Sequence, residues 1–169
     1  MEIQERVLLE ASKIGATNIV KIMMEQPPCP LLISMALIQA FIYGKTETAG
    51  LLAEELNYNF VTAIKRIFRR RASRPLYTEE EREIFIDKLL DLMEQKKITL
   101  TFYELKDLLQ FVSNGDKHLA KVVEYNLLYA KYSLLEFERL YRMVKYKTDE
   151  SGLLPITNAV VKGFINRKL

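Results

Sequence analysis

The chain has 169 residues, 49% hydrophobic and 28% charged, with a formal net charge of +3. That length suits one domain or one short repeat array, the composition excludes a disordered chain, and so mild a charge does not by itself imply nucleic acid. The single cysteine, Cys29, excludes an internal disulfide and a disulfide-stapled secreted fold.

No apolar run reaches the roughly eighteen residues needed to cross a bilayer. The opening MEIQER is acidic and polar, unlike a signal peptide. A reducing, cytoplasmic setting is expected.

Apolar residues recur at three- and four-residue spacing almost throughout, which predicts an all-α chain of about ten helices. KITLTF, residues 97–102, is the one strand-like alternation. Gly15 closes the first helix, and residues 17–26 form the second. Pro27, Pro28 and Pro30 break the backbone, because proline lacks the amide donor and clashes with the preceding turn. A third helix runs to Tyr43 and ends at Gly44; a fourth reaches about Leu56; a fifth spans 58–71. Residues 73–78 form a loop centred on Pro75.

Three later helices begin with a hydroxyl followed three residues on by a glutamate: Thr78 with Glu81, Thr101 with Glu104 and Ser133 with Glu136. In such a capping box the hydroxyl accepts a backbone amide and the carboxylate reaches back. Helix six then covers 79–95, helix seven 102–113 with Gly115 closing it, helix eight continues to about Lys131, and helix nine covers 134–147. A loop follows at 149–152. Pro155 suits the first turn of a last helix reaching about Asn166, because its missing amide has no intrahelical partner there. Paired in order, these elements predict a single domain, 1–169, built as a stack of about five antiparallel hairpins. They would be 2–26, 31–56, 58–96, 101–131 and 133–167.

The hairpins carry an internal repeat. Leu37, Ala40 and Gly44 each lie 29 residues after Leu8, Ala11 and Gly15. A third copy surrounds Gly115, which is 71 residues after Gly44 and leaves room for one degenerate copy between them. The first copy supplies Leu8, Ala11, Ser12, Gly15, Ile19, Val20, Met23 and Met24. The second supplies Leu37, Ala40, Phe41, Gly44, Thr48, Ala49, Leu52 and Ala53. The third supplies Leu108, Phe111, Val112, Gly115, Leu119, Ala120, Val122 and Val123.

This unit resembles a degenerate ankyrin repeat. It has leucine then alanine on the first helix, a glycine turn, and an aliphatic cluster on the second. The family's threonine-proline-leucine-histidine opening is absent, and no copy has the linker that forms its β-hairpin fingers. A generic helical-hairpin stack and a compact irregular bundle remain the alternatives. The resemblance implies an ankyrin-like α-solenoid that acts as a scaffold, a protein–protein interaction module. It also implies an effector of intracellular bacteria or large viruses acting on a host protein in the host cytosol.

Chemistry is sparse in the sequence. The one histidine, His118, has no second histidine or cysteine with which to build a metal site, and Cys29 has no histidine placed to activate it. Glu79, Glu80 and Glu81 sit where negative charge favours a helix N-terminus. No glycine-rich phosphate loop is present. No enzyme activity, cofactor, metal or small-molecule substrate is therefore expected.

KRIFRRRASRP, residues 65–75, holds five arginines and one lysine. On a helix Lys65, Arg66, Arg69 and Arg70 would share one solvent face, with Arg71 and Arg74 flanking the loop. Such a patch pairs with phosphates of lipid headgroups or nucleic acid, the alternative function. Ser73 follows two arginines in a pattern resembling a basophilic kinase site and a phosphoserine adaptor motif. Tyr125, Tyr129 and Tyr132 share one helical face by their spacing, with Tyr141 and Tyr146 beyond. Tyrosine suits an interface, so this face, with Lys45 and Lys117 beside the hairpin turns, is where a partner protein is expected.

Overall fold

The first helix, α1 (Ile3–Ile14), ends where Gly15 turns left-handed at φ 77°. An L side chain is strained in that conformation and glycine is not. The Ala16 amide then donates back to the Ala11 carbonyl at 2.8 Å, satisfying an acceptor that the helix end leaves orphaned. After this corner comes α2 (Thr17–Met23). The corner is repeated 29 residues later. There α3 (Pro30–Ile42) precedes Gly44 at φ 71°, and the Lys45 amide donates to the Ala40 carbonyl at 2.8 Å before α4 (Thr46–Glu55) begins. Pro30 occupies the first position of α3, where its missing amide costs nothing.

The computed structural model describes residues 2–72, 74–111, 117–144 and 155–168. The chain divides into two compact units, Met1–Leu92 and Met93–Leu169. In the first, α1 packs on α2 and α3, α3 packs on α4 and on α5 (Val61–Ile67), and α2 packs on α4. Helices alternate between two rows. Small residues let the rows close: Ala11, Ala40, Ala49 and Ala53 are all buried, beside Leu8, Leu37 and Leu52. Ser12 and Ser34 are buried with hydroxyls that have no hydrogen-bond partner, so they too serve as small packing residues. The Thr17 and Thr48 hydroxyls meet at 2.9 Å, joining the start of α2 to α4. The ring of Phe41 meets Phe85 of α6 (Glu79–Lys96) edge-on at 5.7 Å.

Three expectations are corrected here. The fifth helix is shorter than 58–71. Asn57 and Tyr58 adopt positive φ, Phe60 precedes the first turn, and the helix stops at Ile67. Continuing it would stack like charges at helical spacing, which destabilises. Instead the chain folds into a small antiparallel hairpin of β1 (Arg70–Arg71) and β2 (Arg74–Pro75), and the Leu76 amide donates to the Arg69 carbonyl at 3.1 Å. The expected loop around Pro75 thus contains a strand. Ile19, expected in the core of the second helix, is 45% exposed, while Val20 and Met24 are buried.

The second unit begins at Met93, in the last turn of α6; Lys97 follows that helix, left-handed at φ 54°, and the Ile98 amide donates to the Met93 carbonyl at 2.9 Å. KITLTF is not a strand: residues 97–101 pair with no other strand, and α7 (Phe102–Phe111) starts directly after. The helices α8 (Lys117–Tyr129), α9 (Leu134–Val144) and α10 (Pro155–Lys168) follow. α10 packs on α8 and α9, and α7 packs on α9. Leu108, Leu119, Val122, Val123, Phe137 and Val160 are buried. The expected turn at Gly115 and the loop at 149–152 lie outside the described residues.

All three capping boxes form. Glu81 N–H donates to Thr78 Oγ1 at 3.1 Å while Thr78 N–H donates to Glu81 Oε1 at 2.8 Å. Thr101 with Glu104, and Ser133 with Glu136, repeat the exchange.

The glycines separate three physical cases. At Gly44 an added Cβ meets nothing within 4 Å, so only the positive φ opposes it. Gly44→Ala should lower unfolding stability by about 1–2 kcal/mol. Gly50 lies inside α4, also with open space, so Gly50→Ala should raise stability by about 0.5–1 kcal/mol. At Gly163 a Cβ would stand 2.7 Å from Leu127 Cβ, where α10 meets α8. Gly163→Ala should cost about 1–3 kcal/mol by overpacking. Urea unfolding of the three variants checks the order.

Candidate functional site

Residues 98–101 have no strand partner, so their backbone groups must be satisfied in some other way. Side chains do it. Asn126 is fully buried; its Oδ1 accepts from Leu100 N–H at 2.6 Å, and its Nδ2 donates to the Val122 carbonyl at 2.8 Å. Tyr132 donates its hydroxyl to the Leu100 carbonyl at 2.6 Å, and Tyr125 donates to the Ile98 carbonyl at 3.3 Å. The segment is thereby held against α8, and beside it opens a cleft of about 740 Å³. Glu94, Lys97, Thr99, Tyr125, Tyr129 and Lys131 line it. The rings of Tyr125 and Tyr129 lie 4.9 Å apart, tilted by 45°, and Tyr129 is 64% exposed. Burial, then the Glu94 carboxylate, then Tyr129, push the Tyr125 hydroxyl above the usual phenol range. A cleft with an aromatic pair, two cations and one carboxylate can bury an apolar side chain and anchor polar groups around it.

Tyr132 does not belong to this surface. α8 ends at Tyr129, so the expected common face breaks there, and Tyr132 is only 5% exposed, with its ring against Phe137 at 6.1 Å. A phenol whose hydroxyl can reach a buried carbonyl is a core residue, and sequence spacing does not reveal that partner. Tyr141 is exposed on α9, and Tyr146 lies outside the described residues. Lys117 is exposed at the first position of α8. Lys45 is half-buried with its aliphatic stem over the first corner: its Cδ is 2.9 Å from where a Cβ on Gly15 would stand.

The basic residues are gathered by the hairpin instead of a helix face. Lys65 and Arg66 close α5, Arg69, Arg70, Arg71 and Arg74 are exposed around the turn, and Ser73 lies outside the described residues. Cys29 is exposed immediately before α3, and His118 is half-buried in the first turn of α8. Among the described residues, no three His, Cys, Asp or Glu side chains gather to hold a metal ion. No helix among them is long and apolar enough to cross a membrane.

One surface was not expected from the sequence. A groove of about 780 Å³ runs between α1, α2 and the start of α3, with Ile3, Val7 and Ile22 exposed in it and Glu2, Glu5 and Glu25 around them. Spacing does not announce it, because Ile3 and Val7 lie at four-residue steps from the buried Ala11 and read as core. Comparison with known proteins gave no match to any family model, curated protein or solved structure.

Tyr132 supplies a test of the scaffold beneath the cleft. Tyr132→Phe should cost about 1–2 kcal/mol at neutral pH through the lost hydrogen bond. Burial, then Glu104 and Glu136, raise its hydroxyl pKa above the unfolded value. The neutral phenol therefore contributes stability below about pH 10, and this is lost as pH rises through the folded value. Denaturation measured from pH 8 to 11 should show an alkaline fall in the wild type that is shallower in Tyr132→Phe.

Proposed function

We propose that this protein is a helical-repeat module, similar to ankyrin repeats, whose work is noncovalent recognition of another protein. Support for the repeat comes from the first unit. Two corners 29 residues apart share a left-handed glycine and the same long amide-to-carbonyl bond, and their helices pack in two rows. Stacked hairpins of this kind hold side chains on rigid elements, which lowers the ordering cost of binding.

The observation that carries the recognition role is the cleft floored by Tyr125 and Tyr129. Tyrosine offers a large rigid contact area and a polar tip, and central aromatic residues dominate interface energetics. Lys97 and Lys131 with Glu94 supply the polar rim. The preferred occupant is a short protein segment with one apolar side chain for the tyrosine pair and an acidic group for the lysines.

The test uses a photo-crosslinking phenylalanine analogue at position 128, on the exposed Leu128 next to the cleft, in lysate. A discrete protein adduct is expected. Tyr129→Ala should reduce capture about tenfold or more, as for an interface hot spot. Tyr103→Ala, at an exposed tyrosine on α7, should leave capture unchanged. Equal capture by the Tyr129→Ala protein would exclude the cleft as the recognition site.

A further inference from the structure

The arginine hairpin uses none of the tyrosine cleft's residues. Arg66, Arg69, Arg70 and Arg71, with Leu76, line a concavity of about 250 Å³. Its geometry is fixed by the backbone. Arg69 N–H donates to the Arg66 carbonyl at 3.1 Å, Leu76 N–H donates to the Arg69 carbonyl, and Arg70 pairs with Pro75 across the ladder. Arg71 lies directly opposite Arg74 in that ladder. Like charges directly opposite one another are destabilising. Ala72, at the turn, adds a positive φ of 51° without being glycine. Among the described residues no carboxylate forms an ion pair with Arg69, Arg70, Arg71 or Arg74, and Arg66 Nε is buried with no hydrogen-bond partner. The hairpin thus holds concentrated positive charge in a strained turn, with donors unmatched within the described chain. A bound anion would relieve both the repulsion and the missing acceptor.

The chemistry of the anion follows from size and lining. Guanidinium forks match phosphate oxygens in bidentate geometry. The concavity, at about 250 Å³, is below the roughly 300–1,000 Å³ of pockets that enclose drug-sized ligands, so it seats individual phosphate groups and leaves the rest of their scaffold outside. No acidic side chain is among its lining residues. No aromatic ring lines it, and the arginines fall within residues 66–74, so it lacks the stacking platform and extended basic track that single-stranded nucleic acid uses. Several arginines converging on a small space suit several phosphates on a compact scaffold. We propose that Arg66, Arg69, Arg70 and Arg71, with Arg74 across the hairpin, form a binding site for an inositol polyphosphate group. That group is either a free inositol phosphate or the headgroup of a phosphoinositide. Leu76, exposed on the rim, is placed to touch the acyl region when the source is a lipid.

The test uses myo-inositol hexakisphosphate in calorimetric titration of the full chain, and phosphatidylcholine vesicles with or without phosphatidylinositol bisphosphate in sedimentation. One saturable site is expected for the soluble probe, weakening as salt is raised. Arg70→Ala with Arg71→Ala should weaken it about tenfold or more. Arg70→Lys with Arg71→Lys keeps the charge and the side-chain stems, so it guards against a folding defect. It should still weaken binding several-fold, because an ammonium does not reproduce the bidentate fork. Circular dichroism should match the wild type for both. Capture by the phosphoinositide vesicles, reversed by the soluble probe, identifies the lipid source; soluble binding without vesicle capture identifies the free compound. Absence of saturable binding overturns the proposal. So does full binding by the double-lysine protein, or equal binding to phosphatidylserine vesicles of matched charge or to a single-stranded oligonucleotide, since diffuse attraction would then explain the result.

Discussion

Among the described residues, four helix ends close with the same hydrogen bond. The residue after a left-handed position donates its amide five residues back: Ala16 to Ala11, Lys45 to Ala40, Tyr58 to Ala53 and Ile98 to Met93. Each acceptor residue is buried. The closure therefore does two things at once. It satisfies a carbonyl that would otherwise be orphaned, and it reverses the chain while the last inward-facing side chain is still in the core. Short helices are marginal by themselves, and α2 and α5 have only seven residues each. They persist because the corners deliver them to neighbours that bury their apolar sides.

How much of this the sequence reveals depends on whether the corner uses a special residue. Gly15 and Gly44 announce theirs, and so do the capping boxes and the prolines at the starts of α3 and α10. Asn57 tolerates the left-handed region, but Tyr58, Ala72 and Lys97 adopt positive φ with side chains that disfavour it, so local preference does not mark them. That is why the spacing predicts a fifth helix running through Arg70–Arg71, where β1 lies, and a loop where Arg74–Pro75 forms β2. KITLTF misleads for a related reason. Its alternation is real, since Leu100 and Phe102 are buried, but the partners for its backbone are Asn126, Tyr125 and Tyr132 rather than another strand.

The candidate surfaces were legible to different degrees. Helical spacing placed Tyr125 and Tyr129 together correctly, because both lie on α8. The same spacing failed for Tyr132 once the helix ended. The arginine cluster was visible as composition, but its shape was not: a helix face would spread the charges along an axis, whereas the hairpin folds them around one small concavity. The apolar groove along α1 and α2 was hidden, because an exposed isoleucine is indistinguishable from a buried one until its neighbours are known.

The shared corner is the claim on which this account rests, and amide hydrogen exchange followed by NMR tests it most directly. The amides of Ala16, Lys45, Tyr58 and Ile98 stand outside helices, yet each donates an intramolecular bond. They should exchange as slowly as amides inside the adjoining helices, opening only with the helix that each one closes. Exchange at the rate of an unprotected loop at Ala16 and Lys45 would contradict it.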